Sequence, residues 1–169
     1  MSIAPKTTSA PKQVEFRLAK ASDLSELYQV FVEIVGPFEL YNLEARTAEL
    51  KKYAPDKLLQ LLEADTDSLI VASSEDRIVG FAIIRPDDGP IWLCWFATLP
   101  QCRKKGIGTG LINEVIARAR ARNAHKIWCD TRAENFASIA ILEGLGFEKK
   151  CLLRNHWFNQ DYIIWERFI

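Results

Sequence analysis

The chain has 169 residues, 49% of them hydrophobic and 26% charged, which suits a single globular domain with a sizeable core. Its 22 Lys and Arg balance 22 Asp and Glu. A net charge of zero argues against a general binder of nucleic acid or of anionic membranes, while leaving room for one local basic patch. No stretch is long and apolar enough to span a bilayer. Cys94, Cys102, Cys129 and Cys151 form no CxxC pair, and His125 and His156 are the two histidines. No zinc site is expected, and a reduced, cytoplasmic setting fits best.

Residues 1–13 hold two prolines and several Ser and Thr. They read as a loose tail, neither signal peptide nor membrane anchor, ahead of one domain over 14–169. Val14–Ala19 alternates like a strand. Ser22 or Asp23 can cap a helix running to about Val35, with Leu24, Leu27, Tyr28, Phe31 and Ile34 on one face, and Gly36-Pro37 stops it. Helical stretches over 43–52 and 56–64 follow, separated by Pro55. Residues 68–73 and 78–84 read as an antiparallel hairpin turning at 74–77. A turn over 87–90 leads into the apolar strand Ile91–Leu99. From Ile107 the period becomes helical, and Ile107, Leu111, Ile112, Val115, Ile116 and Ala119 share a face until about Asn123. Lys126–Asp130 is a buried strand, and Asn135 opens a short helix ending at Gly144 or Gly146. Residues 147–153 and 162–168 are the last strands. Mixed order of this kind implies an α/β sheet with antiparallel parts.

Residues 103–110 read Arg-Lys-Lys-Gly-Ile-Gly-Thr-Gly, a basic glycine-rich loop between a strand and a helix. Free N–H groups at a helix start attract anions, and glycines let the backbone approach them. As a nucleoside-triphosphate loop it lacks the Lys-Ser/Thr pair after the last glycine, since Leu111-Ile112 follows. As a dinucleotide loop it is closer, with Asp130 about 20 residues on, but its spacing is GxGxG and an antiparallel hairpin precedes it. A glycine turn with no ligand sits poorly with three adjacent cations.

A further pattern fits. Arg103-Lys-Lys-Gly106-Ile-Gly108 matches the [QR]xxGx[GA] pyrophosphate loop of the GNAT superfamily of acyl-CoA-dependent N-acyltransferases, with Pro100 where that family commonly has a proline. Asn135 to Gly146-Phe147 resembles the family's second segment, in which an asparagine leads to Gly-Phe. The order and flanking elements agree over about 14–169, so the chain resembles a GNAT N-acetyltransferase. Residues 128–135 and 154–157 look like segments of the ribosomal-protein N-terminal acetyltransferases.

The resemblance implies a GNAT-type mixed, mostly antiparallel sheet of six to seven strands, flanked by helices and splayed between two central strands. Acetyl-CoA would be the co-substrate. Phe96, Ala97 and Thr98 would line its pantetheine arm. The loop Arg103, Lys104, Lys105, Gly106, Ile107, Gly108, Thr109 and Gly110 would hold its pyrophosphate, and Asn135 and Ser138 would meet the pantetheine end. Asn135 can equally act as a helix cap, and the two roles are compatible. Gly36–Asn42 would form part of the acceptor side. The acceptor would be a small-molecule amine or a peptide N-terminus, and a homodimer stays open.

Two departures stand out. Residues 91–99 carry no carboxylate where many relatives have a glutamate, and Leu142 stands where many have a tyrosine acid. A thiol titrates near 8.5, so a thiolate can leave without full protonation. Asp130 is the candidate base, because it matches the acidic position at the end of the strand before the asparagine in the peptide-acetylating branch that the chain resembles. Its alternative is a carboxylate bonded to backbone or to Arg132, and both readings stay open. Glu134 is a weaker candidate, and Tyr28, Tyr41, His156 and Tyr162 are candidate relays. The tryptophans read mostly as core, with one or two near Trp157 able to wall an acceptor pocket. Arg118, Arg120 and Arg122 complement a helix C-terminus. The expectation is an N-acetyltransferase acting by direct attack on the thioester, with a non-catalytic acyl-CoA-binding domain as the alternative.

Overall fold

The computed structural model describes residues 13–169, so nearly all of the tail expected over 1–13 lies outside the described residues. In chain order the elements are β1 (Glu15–Leu18), α1 (Leu24–Val35), α2 (Leu43–Lys52), α3 (Pro55–Ala64), β2 (Leu69–Ser74), β3 (Arg77–Pro86), β4 (Ile91–Thr98), α4 (Ile107–Ala121), β5 (Lys126–Arg132), α5 (Phe136–Gly144), β6 (Glu148–Leu153) and β7 (Tyr162–Phe168). Seven strands form one sheet in the order β1-β2-β3-β4-β5-β7-β6. Every neighbouring pair is antiparallel except β4 with β5.

The hairpin of β2 and β3 turns at Glu75 and Asp76, both at positive φ, as a two-residue turn matched to strand twist requires. The two helices are separate as expected, but Pro55 does not stand between them. It is the first residue of α3, where its fixed φ helps and no N–H is missed. Asp23 does not cap α1 through its side chain. Its carboxylate instead takes the Lys20 N–H and the Arg17 guanidinium, which hold the pKa of Asp23 below the ordinary carboxylate value.

Both faces of the sheet are covered, which explains the unbroken burial of Ile78–Ile84 in β3. On one face α4 lays Ile107, Leu111, Ile112 and Val115 against Ile70, Ala82, Ile84 and Leu93. On the other, α1 and α3 pack Leu27, Phe31, Val35 and Leu58 against Leu69, Phe81 and Ile83. Gly110 is required by this packing, since a Cβ there would lie 2.2 Å from the Phe16 ring of β1. Arg122 is not idle at the end of α4. It pairs with Asp65 and Asp67 and ties that end to the turn before β2.

Candidate active site

β4 and β5 pair over only three positions, Ile91 with Ile127, Trp92 with Trp128 and Leu93 with Cys129. The cause lies on the other edge of β4. Ile83 of β3 faces Trp95 while Ile84 faces Leu93, so Cys94 is an extra, bulged residue. A bulge bends its strand and raises the local twist, and pairing with β5 ends there. Beyond it, Phe96, Ala97 and Thr98 pair with β3 alone. The resulting wedge is a cleft of about 50 Å³ between Cys94–Phe96 and Cys129–Arg132, closed by Asn135 and Ser138.

The glycine-rich loop precedes α4, at one end of the sheet. Lys104 and Gly106 both take positive φ, at 61° and 76°. The left-handed Gly106 is the residue before the helix, and no side chain caps the helix start. Ile107, Gly108 and Thr109 therefore begin α4 with N–H groups that have no carbonyl one turn back. Gly110 differs, because its N–H already bonds the Gly106 carbonyl at 2.9 Å. Its part in the loop is steric, not that of a pyrophosphate donor. Arg103, Lys104 and Lys105 are exposed around this start, so the loop offers donors and positive charge without a protein anion to take them.

Gly108→Glu is expected to weaken CoA binding roughly 100-fold, the equivalent of two charge-assisted hydrogen bonds, as read by calorimetry. A Cβ there meets the movable end of Ile141, Cδ1, at 2.9 Å, so the fold should survive, with a cooperative unfolding transition as the control. Unchanged affinity would remove the loop from the binding site.

Asn135 precedes α5, and its Oδ1 accepts from the Ser138 N–H at 3.2 Å. The cap uses the amide oxygen, and the NH2 remains the half able to serve a ligand. Leu142 is fully buried in the core beside α4.

A second cavity, of about 240 Å³, opens on the other side of Asp130. Asp130, Cys94, Trp95 and Tyr41 belong to both hollows, so this carboxyl stands where the wedge meets the wider cavity. Its walls include Trp92, Trp157, Phe158 and Tyr162, with Glu49 and Lys52 from α2. Burial pushes the Asp130 carboxyl from 3.8 up to about 6, and the Glu49 charge adds to the rise. The Lys52 charge and the Trp92 indole oppose it. That indole N–H is buried without a partner at bonding distance. Burial also pushes the Cys94 thiol up to about 12, so it is neutral and no nucleophile at ordinary pH. Tyr162 is pushed up to about 12 and keeps its proton.

Arg132 does not engage Asp130. It is 5% exposed, donates to the carbonyls of Leu40 and Asp161, and pairs with the exposed Glu134. Its guanidinium lies 5.1 Å from the centre of the Tyr162 ring. The chain before α2 and the β6–β7 connection are joined further by Asn42 Nδ2 to the Phe158 carbonyl at 2.9 Å and by Gln160 Nε2 to the Leu40 carbonyl at 3.1 Å. Two remote segments thus form one wall, which includes Tyr41, Trp157 and Phe158.

One expectation needs correction, and one residue was missed. Trp92 and Trp95 are wall, not simply core, whereas Trp165 is core. The bulge at Cys94 shifts the alternation of β4 and brings Trp95 to the face of Trp92. Glu49 has no counterpart in the sequence reading. Its Oε2 accepts from Trp95 Nε1 at 2.7 Å, placing a second carboxylate in the cavity. Ala45, Ala48, Glu49 and Lys52 share one face of α2 at helical spacing, and polar residues on that inward stripe were the available signal.

A sheet split between its central strands, with a glycine-rich helix start at one end, is the acyltransferase architecture that the loop anticipates. Residues 34–147 match the family model described as acetyltransferase (GNAT) family. The chain belongs to that family. It is 31% identical over 85 residues to the [ribosomal protein bS18]-alanine N-acetyltransferase of Salmonella typhimurium, covering 50% of this chain and 57% of that protein. The chain thus spans little more than half the length of the curated relatives of this kind that it matches. An uncharacterized N-acetyltransferase of Methanocaldococcus jannaschii is 25% identical over 155 residues, covering 82% and 62%. Among solved structures, the ribosomal-protein-alanine N-acetyltransferase of Brucella melitensis superposes with a TM-score of 0.74 at 25% identity, covering 92% and 99%. The PaiA N-acetyltransferase of Thermoplasma acidophilum, in complex with coenzyme A, superposes at 0.77 with 17% identity over 93% and 99%, a likeness of fold.

Proposed function

We propose that the chain transfers an acetyl group from acetyl-CoA to a primary amine by direct attack of the amine on the thioester. The observation that carries this reading is the position of Asp130, at the junction of the wedge with the aromatic cavity. The residues present fit the co-substrate. The free N–H groups of Ile107–Thr109 suit a pyrophosphate, and the unpaired edge of Phe96–Thr98 suits the amide-bearing pantetheine arm. When bound, acetyl-CoA supplies an activated acetyl carbon.

The chain's own residues do the rest. Asp130 takes the proton of the incoming amine, and a base whose pKa lies near working pH is well matched to that task. Trp92 and Tyr162 offer N–H and O–H donors around it. The aromatic walls exclude water and hold the acceptor against the wedge. Cys94, a neutral thiol, takes no covalent part. The loss of the tyrosine at Leu142 is tolerable because a thiolate leaves near neutral pH without full protonation. A peptide N-terminus is the preferred acceptor, supported by the likeness to the bS18-alanine N-acetyltransferase of Salmonella typhimurium and the ribosomal-protein-alanine N-acetyltransferase of Brucella melitensis; an α-amine also needs less help from a base than a lysine does. The cytoplasmic setting suggested by the cysteines belongs to this proposal.

The test is release of free CoA from acetyl-CoA across a panel of peptides and amines. Tight CoA binding without turnover on any of them would favour the non-catalytic reading, for which Leu142 and the carboxylate-free strand over 91–99 are the motivating observations. Where turnover occurs, kcat/KM referred to the neutral amine should rise with pH through about 6, because only the ionised Asp130 accepts a proton. That limb should vanish in Asp130→Asn. A profile flat between pH 5 and pH 7 would remove Asp130 from the base role.

A further inference from the structure

Lys52 is a primary amine in the wall of the cavity assigned to the acceptor. It belongs to the last turn of α2, and its side chain is 40% exposed. Its Nζ lies 5.1 Å from the centre of the Trp92 ring, 5.3 Å from that of Tyr53 and 4.0 Å from Glu49 Oε1. Cation–π attraction and the carboxylate thus hold this long, partly exposed side chain over the cavity mouth. Lys52 and Asp130 line the same hollow. Lys51, its neighbour in sequence, lines neither the wedge nor the cavity. The arrangement holds an amine on a flexible four-carbon stem on the acceptor side of the candidate base.

We propose that Lys52 is a self-acetylation site: in the absence of an acceptor, its amine enters the cavity and takes the acetyl group from acetyl-CoA within the same molecule. This rests on the acetyltransferase reading above. Lys52 Nζ, once neutral, attacks the thioester carbonyl carbon. A C–N bond forms and the C–S bond breaks. The nitrogen's proton passes to Asp130 and on to water, and CoA leaves as a thiolate that takes its proton from solvent. The product is an uncharged amide, so the pairing with Glu49 and the cation on Trp92 are lost together. The acetylated side chain remains at the cavity mouth, where it obstructs the next acceptor. Self-acetylation is therefore limited to one event per molecule and self-limiting for turnover.

The experiment incubates the purified chain with acetyl-CoA alone and maps acetyl-lysine by peptide mass spectrometry over time. Lys52 should be acetylated well above Lys51 and Lys57, at a first-order rate independent of protein concentration. Added acceptor amine should slow it. Asp130→Asn and Gly108→Glu should each reduce it to the level of Lys51. Preincubation with acetyl-CoA should lower later amine turnover severalfold in the native chain and leave Lys52→Arg unaffected. Modification of Lys52 no greater than that of Lys51, or undiminished in Gly108→Glu, or rising in rate with protein concentration, would overturn the proposal. CoA release across the amine panel separates the two readings. Turnover with an unmodified Lys52 sinks the self-acetylation alone, whereas absence of CoA binding sinks both.

Discussion

Asp130→Asn is expected to lower kcat/KM for amine acetylation by about 10² to 10⁴, the usual worth of a positioned general base, and at the same time to make the folded chain more stable. The second half follows from the sign of the pKa change. Folding raises this carboxyl from 3.8 to about 6 because burial penalises its charged form. A raised carboxylate pKa means that the folded state binds the proton more tightly than the unfolded state does. The group therefore costs nothing below about pH 4. Its cost grows between pH 4 and pH 6 and is full above that, at about 3 kcal/mol. Asparagine carries no charge to bury, so the variant should gain up to that amount at pH 7.5 and little at pH 4. Denaturant unfolding at the two pH values, beside CoA release and CoA binding, checks the whole statement. A variant equally inactive but destabilised at pH 7.5 would mean that the carboxylate is a structural anchor and not a buried base.

Arg132→Ala should show the opposite pattern, with stability falling and the chemistry spared. The guanidinium is almost fully enclosed and donates to carbonyls from both acceptor-side segments. Both carbonyls keep one other donor, Gln160 for Leu40 and the Ala133 N–H for Asp161. The loss is therefore that of charge-assisted bonds and of the Tyr162 stacking, about 3 kcal/mol together. The segments should then separate, raising the acceptor KM about tenfold or more, with a smaller loss of CoA affinity because Arg132 also lines the wedge. Arg132→Lys should recover little, since an ammonium cannot reproduce the guanidinium fork. Chemical denaturation and steady-state kinetics with varied acceptor read both effects. An unchanged KM in a destabilised protein would confine Arg132 to folding.

The two classes of site residue differ in how they are encoded. The loop is local: three cations and three glycines in eight residues, bounded by a strand and a helix. Steric freedom at Gly106 and unpaired N–H groups at a helix start are consequences of neighbours along the chain. Asn135 is local for the same reason, its cap reaching only to Ser138. Strand and helix periodicity likewise placed nearly every element to within a residue or two. Glu49 and Trp95 are different. They meet through a hydrogen bond spanning 46 positions, and no periodicity within α2 or β4 announces a partner that far away.

The order of elements and the basic glycine-rich loop were legible in the residues because each rests on neighbours along the chain; that order implied a mixed sheet, and the family resemblance pointed to Asp130. The packing of distant elements settled the rest. The bulge at Cys94 opens the wedge and turns Trp95 toward the cavity, since a bulge exists only relative to the strand it is paired with. Burial raises the Asp130 carboxyl, and Arg132 donates to the Leu40 and Asp161 carbonyls instead of pairing with it. The aromatic cavity beside Asp130 is assembled from α2, β4, β5, β7 and the connection before β7, and its acidic, aromatic and amine groups share one space only once those elements have packed.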